Sequence, residues 1–231
     1  MAQSVSLAAM RLAARRRAGQ ETLDPDNAFV SDEELDVVLN DWLQHVYRAL
    51  VRAKSGFYRA QQPIATTANT SLYALNLDFL QLISVDWQFS PSDVVPIYPY
   101  EESERNVYKI RPGWLRNYPI YYQLQNNSIN FIPTPQSAFT VNVNYIPVFT
   151  KLKDPTDVFD GVAGFEEFGV CKAAAYMCLK DDNSEAAAFH EAQAGVILDE
   201  IKALAPNRTA GLRRVQRVRN SRRWGNGPGG I

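Results

Sequence analysis

The chain has 231 residues, 46% hydrophobic and 21% charged, enough for one or two soluble domains, and no apolar run approaches the ~20 residues of a membrane-spanning helix. Its formal net charge of −1 conceals a segregation: residues 1–19 hold four arginines and no acid, residues 207–231 hold seven arginines and no acid, and the body between them is near −12. A body of that sign excludes a nucleic-acid clamp, because phosphate contacts need Lys and Arg, and it leaves the basic ends to grip an acidic partner.

In chain order, the first element is a basic helix, Ser4 to Arg17. Its arginines and lack of acids give it the composition of a transit peptide, but it has no h-region or cleavage site of a secretory signal. Gly19 to Val30 is a polar connection with turn chemistry at Asp24-Pro25-Asp26-Asn27. Ser31 with Glu34 three residues on is a capping box, with Val30 placed as half of a hydrophobic staple. Leu35, Val38, Leu39, Trp42, Val46, Ala49, Leu50 and Ala53 then share one helical face, so a long amphipathic helix runs from Ser31 to Ala53 and stops near Gly56.

From Pro63 the texture becomes that of short strands: Pro63 to Thr67, Ser71 to Leu75, Leu82 to Trp87, Ile120 to Leu124, Ser128 to Ile132 and Thr140 to Ile146. Val141, Val143 and Tyr145 alternate with Asn142 and Asn144, and Asn126-Asn127 reads as a tight hairpin. Prolines, among them Pro91, Pro96 and Pro99, are read as strand caps that protect edges. Lys151 to Gly164 is a loop. Phe165 to Leu179 and Ser184 to Leu204 form a helical hairpin about Lys180-Asp181-Asp182-Asn183, with Ala173, Ala174 and Ala175 permitting close approach and Pro206 ending it.

These elements predict an α+β fold. A helical-bundle core, made of the long N-terminal helix and the C-terminal hairpin, carries an inserted antiparallel β-sheet or small sandwich and an extended C-terminal tail. The expected divisions are 1–62 for the N-terminal helices, 63–150 for the β-insertion, 151–206 for the hairpin and 207–231 for the basic tail.

No reactive motif is found, and no catalytic residue, metal or cofactor is expected. His45, His190, Cys171 and Cys178 match no metal-ligand spacing. The two cysteines lie seven residues apart on one predicted helix, about 10 Å, too far to bridge, and read as small buried residues of a reducing compartment. The acid pairs Glu101-Glu102, Glu166-Glu167 and Asp181-Asp182 are adjacent and point apart, unlike a general acid and its base. The aromatics Trp87, Phe89, Tyr98, Tyr100, Tyr108, Trp114, Tyr118, Tyr121 and Tyr122 fit a sheet core and a subunit interface better than a stacking platform for sugars or bases.

In the tail, Arg208, Arg213, Arg214, Arg217, Arg219, Arg222 and Arg223 interleave with Leu212, Val215, Val218 and Trp224. Charge mixed with apolar anchors suits a segment that orders on a protein partner. Two other readings stay open: a nucleic-acid-binding module acting through the Arg-rich ends, and a cell-wall hydrolase using an acid such as Glu34 or Glu167.

The order of motifs adds a family likeness. A basic helix, Val30-Ser31-Asp32-Glu33-Glu34-Leu35 opening a long helix, Tyr73-Ala74-Leu75-Asn76-Leu77-Asp78-Phe79-Leu80-Gln81-Leu82, Pro119-Ile120-Tyr121-Tyr122, Phe131-Ile132-Pro133-Thr134-Pro135, Val143-Asn144-Tyr145 and an alanine-rich helix pair follow one another. Over residues 4–204 this resembles the head-to-tail adaptor (connector) proteins of tailed bacteriophages, short-tailed phages above all. It departs from their pattern at Asn76, where proline is common, and its C-terminal tail reads as its own. The resemblance implies a structural protein of the virion neck, forming a homo-oligomeric ring, a dodecamer, beneath the portal protein. That ring would continue the channel for genomic DNA without sequence-specific binding, offer a platform to the downstream tail or nozzle protein, and touch no membrane. It also implies that the tail, carried over as Arg208 to Ile231, is the portal-binding segment.

Overall fold

The computed structural model describes residues 5–20, 29–53, 58–88, 90, 93–104, 106, 121–161 and 164–204. Two helices come first, α1 (Leu7–Arg17) and α2 (Asp32–Ala53). Seven strands follow: β1 (Ala60–Ala65), β2 (Leu72–Ala74), β3 (Phe79–Gln88), β4 (Val94–Pro99), β5 (Tyr121–Gln125), β6 (Ser128–Ile132) and β7 (Thr140–Pro147). Two further helices, α3 (Glu166–Lys180) and α4 (Ser184–Leu204), complete the described chain. None of these helices is long and apolar enough to cross a membrane.

The expected helical-bundle core with a small inserted antiparallel sheet is overturned. The strands form one seven-stranded sheet in the order β1-β7-β3-β4-β5-β6-β2, mixed rather than antiparallel because β4 and β5 run parallel. The sheet curls until its two edges nearly meet. The Gln62 amide on β1 donates to the Ala74 carbonyl on β2 at 3.1 Å and accepts from the Asn76 amide at 2.9 Å. Ile64, Val85, Ile97, Ile129, Phe131, Val141 and Val143, drawn from five strands besides β2, point into one shared interior. This is a barrel-like domain with its own core, not a decoration on a bundle.

The strand missing from the sequence reading, β4, contains Pro96 and Pro99. Among the described residues β4 meets β5 at two register pairs, Tyr98 with Tyr121 and Pro99 with Tyr122, and its prolines bring no amide donor to the ladder. The barrel thus divides into β1-β7-β3-β4 and β5-β6-β2, joined at a short seam. Elsewhere local chemistry does what its residues suggest. Asn126 takes φ +53° in the two-residue hairpin between β5 and β6. The Asn183 amide bonds back to the Cys178 carbonyl across Asp182, at φ +53°, which closes α3.

The helices bury a second core against the root of the barrel. Leu35, Leu39, Leu43, Val46 and Leu50 of α2 meet Phe168, Cys171 and Met177 of α3, together with Met10 of α1 and Ile146 of β7. Gly169 permits the α2–α3 approach, since a Cβ there would lie 3.2 Å from a Leu43 methyl. Asn40, buried in α2, ties this layer to the chain leaving the barrel: it donates to the Leu152 carbonyl at 2.9 Å and accepts from the Leu152 amide at 2.7 Å. Tyr47 makes a second tie, donating to the Pro147 carbonyl at 2.5 Å and stacking on Tyr58, and burial pushes its hydroxyl up to about 12.

Residues 152–160 also cap α1. The Leu7 amide donates to the Asp157 carbonyl at 2.8 Å, the Ala8 amide to the Pro155 carbonyl at 3.0 Å, and Ser6 bridges to Val158. The Asp157 carboxylate holds this loop by accepting the Lys153 and Asp154 amides, which lowers its pKa. Only half of the expected capping box forms. The Glu34 amide donates to Ser31 Oγ at 3.2 Å, while its carboxylate bonds to Lys180, at 2.7 Å, and to Tyr176 on α3, contacts that hold its pKa below the ordinary range.

Both lowered carboxylates act with one sign. Their stabilisation is complete above the unfolded carboxylate range, near pH 4, and is lost as pH falls through the lower folded values. Stability measured by denaturant unfolding is expected to fall on acidification below about pH 4. Glu34→Gln with Asp157→Asn should flatten that dependence relative to the parent chain.

Candidate assembly surfaces

The basic N-terminal helix was expected to reach for a partner, and the structure turns it inward. Arg11 forks onto the Asp36 carboxylate and reaches Asp32 at 3.2 Å. Arg15, 7% exposed, bonds the Val30 carbonyl at 3.0 Å and Asp32 at 2.7 Å. Arg17 pairs with Glu167 at 2.5 Å and touches Cys171 Sγ at 2.8 Å. Three of the four arginines of residues 1–19 are therefore internal struts, an outcome that composition alone could not separate from an outward-facing patch.

The acids considered for hydrolysis are also ion-paired within the chain. Glu34 is held by Lys180 and Tyr176, and its lowered pKa opposes the raised value a general acid needs. Glu167 answers Arg17. His45 is exposed and packs beside the rings of Trp42 and Phe168, His190 is buried with Nε2 3.3 Å from the Arg17 carbonyl, and Cys171 and Cys178 are free and buried. Among the described residues no cluster of His, Cys, Asp and Glu is placed to hold a metal ion.

Of the aromatic group, Trp87 and Tyr122 lean into the barrel interior, Tyr100 is buried and Tyr98 is exposed. Phe89, Tyr108, Trp114 and Tyr118 lie outside the described residues, as do Arg208, Leu212, Arg213, Arg214, Val215, Arg217, Val218, Arg219, Arg222, Arg223 and Trp224.

Two apolar displays stand out instead. The first is the tip between β2 and β3. Tyr145 donates its hydroxyl to Asp78 at 2.8 Å and accepts from Asn76 at 3.0 Å, and the Asp78 carbonyl takes the Val148 amide at 2.6 Å. Leu77, between those anchors, is 96% exposed. A rigid backbone thus presents a bare leucine, a low-entropy anchor for an apolar pocket on another molecule. Tyr145→Phe is expected to cost about 1–2 kcal/mol in urea unfolding and to speed amide exchange across residues 76–79, leaving exchange in α3 unchanged.

The second display is α4. One side, with Ala187, His190, Ala194 and Ile201, is buried, and the opposite side exposes Phe189, Ala192, Gly195 and Val196. A helix apolar on both sides calls for a second covering surface. The sequence holds that signal at i, i+3 and i+7 from Phe189, hidden because the first face uses the same residue types.

Rigid, solvent-facing apolar side chains are what assembly contacts require, and the class these surfaces define is a structural assembly protein. The chain belongs to the SU10 adaptor protein family, which matches residues 6–222, and it is accordingly a bacteriophage adaptor, a structural component of the virion. No curated protein matches it. The match continues to residue 222, so most of the basic tail lies within the family pattern, which corrects the reading of that tail as peculiar to this chain.

Proposed function

We propose that the adaptor forms a homo-oligomeric ring, of twelve subunits by the family likeness, beneath the portal, where it continues the DNA channel and carries the next tail component. The observation that carries the reading is the exposed apolar side of α4. It gives each subunit an unsatisfied face, and identical subunits meeting head-to-tail can close a ring. The acidic body supports a channel that DNA passes without sticking, since like charge repels phosphate.

With Arg11, Arg15 and Arg17 committed internally, the tail is the remaining long basic run, and it is the segment proposed to dock on the portal through Arg208 to Trp224. The exposure of Leu77 on an anchored turn supports it as a further contact with a partner of the assembly. The test is deletion of Arg208 to Ile231, with binding to purified portal rings followed by electron microscopy. Loss of binding with an unchanged melting curve is the expected result, and a truncated chain that still saturates portal rings removes the tail from the mechanism.

A further inference from the structure

Near the C-terminal ends of α2 and α4, which run side by side, a cavity of about 500 Å³ is lined by His45, Arg48, Ala49, Arg52, Ala53, Leu198 and Lys202. It is a cationic groove with an apolar floor on an otherwise acidic body, and no acid lines it. Arg48 and Arg52 are exposed and make no ion pair with a described residue, in contrast to Arg11, Arg15, Arg17, Lys172 and Lys180. Cations at helix C-termini are favoured by the dipole, which explains one charge per helix. It does not explain two arginines without a described acid partner on one groove, beside a Lys202 that pairs with Asp199 of its own helix at 3.2 Å.

We propose that this groove receives the acidic segment 21–28 of the neighbouring subunit, an inference that rests on the ring reading above. That segment, Glu-Thr-Leu-Asp-Pro-Asp-Asn-Ala, carries three acids, Glu21, Asp24 and Asp26, and no cation, with Leu23 as an apolar contact for the floor. Its own groove lies beyond the segment's backbone reach, so a contact within one chain would need both side chains fully extended. Both ends of the segment are anchored near the start of α2: Gln20 bonds the Arg15 carbonyl at 2.9 Å, Arg15 bonds the Val30 carbonyl, and Phe29 lies under Lys180 at 5.5 Å. Asp24 is five residues from Phe29, a backbone reach of about 18 Å at ~3.5 Å per residue. Arg48 lies nineteen residues beyond Phe29, about 28 Å along a helix rising 1.5 Å per residue, and Arg52 lies farther.

An acidic segment tethered at both ends near the start of α2 and a cation-bearing groove near its end make a heterologous pair. That is the kind of contact a cyclic ring needs, because each subunit must offer two different faces.

The experiment uses the full chain assembled on portal rings. Asp24→Cys with Arg48→Cys, oxidised in the assembly, is expected to give a ladder of covalent multimers on a denaturing gel, with none from either single variant. Arg48→Glu with Arg52→Glu should weaken ring occupancy at least tenfold at unchanged melting temperature. Adding Glu21→Lys, Asp24→Lys and Asp26→Lys to the same chain should restore occupancy. Wild-type occupancy in the reversed variant, or crosslinks confined within single chains, would overturn the groove assignment while leaving the ring intact. Normal ring assembly with loss of DNA association would overturn it in favour of a phosphate site. A parent chain that never multimerises on portals would sink the ring reading and this inference together.

Discussion

Asn40→Ala is expected to destabilise the chain by about 3 kcal/mol, read as a lower urea midpoint at constant slope. Asn40 is buried and answers both the amide and the carbonyl of Leu152, 112 residues downstream. Alanine leaves both backbone groups without a partner where water has little access, and each unmet group costs about 1–3 kcal/mol. Asn40→Asp separates hydrogen bonding from packing. A carboxylate can still accept the Leu152 amide but cannot donate to the carbonyls of Leu152 and Asp36, which now face a negative charge. Burial and those carbonyls raise the folded pKa of the introduced acid above its unfolded value, so the deficit relative to the parent should shrink as pH falls. A deficit that is independent of pH would show that the side chain is not enclosed as described.

Phe131→Ala is expected to cost about 4 kcal/mol, since a fully buried phenylalanine leaves both lost transfer energy and a cavity. Phe131 fills the barrel interior from β6 and packs on the Tyr73 ring at 5.7 Å. Its placement matters because, among the described residues, the β5-β6-β2 half joins β4 through two register pairs, so the shared interior carries much of the union. Amide exchange should therefore rise first across 121–132 and only later across 140–147. Equal loss of protection in both halves would mean that the seam is stronger than its ladder. Phe131→Leu, which keeps most of the volume, should recover more than half of the stability.

What the sequence revealed was local. Ser31 and Glu34 start a helix, Asn126-Asn127 turns a hairpin, Asp181 to Asn183 break a helical pair, and the alternation of Val141, Val143 and Tyr145 marks an inward face. Each is decided within a few residues. Closure of the sheet was not legible, because Gln62 meeting Ala74 and Asn76 depends on the accumulated curl of seven strands. Strand β4 was lost because Pro96 and Pro99 read as interruptions, whereas Pro96 stands opposite Asp86 within four consecutive pairs with β3 and Pro99 closes the strand. Those two misses made the β-region look small and secondary to the helices.

The charge reading failed differently. Arg11, Arg15 and Arg17 were counted with the tail as free cations, but amphipathic periodicity cannot say that Asp32, Asp36 and Glu167 will stand opposite them. The apolar far side of α4 was missed for a related reason, since composition does not distinguish an apolar face that is buried from one left facing solvent.

The capping of α1 by residues 152–160 bears on how the protein comes into being. A ribosome releases the first helix well before the loop that holds its leading amides, a delay of roughly ten to thirty seconds at common translation speeds. Over that interval the arginines of the first helix lack Glu167, and α2 lacks the whole of α3. The nascent adaptor therefore cannot close its helical core until its last third emerges, because α1 and α2 wait for α3 to complete it.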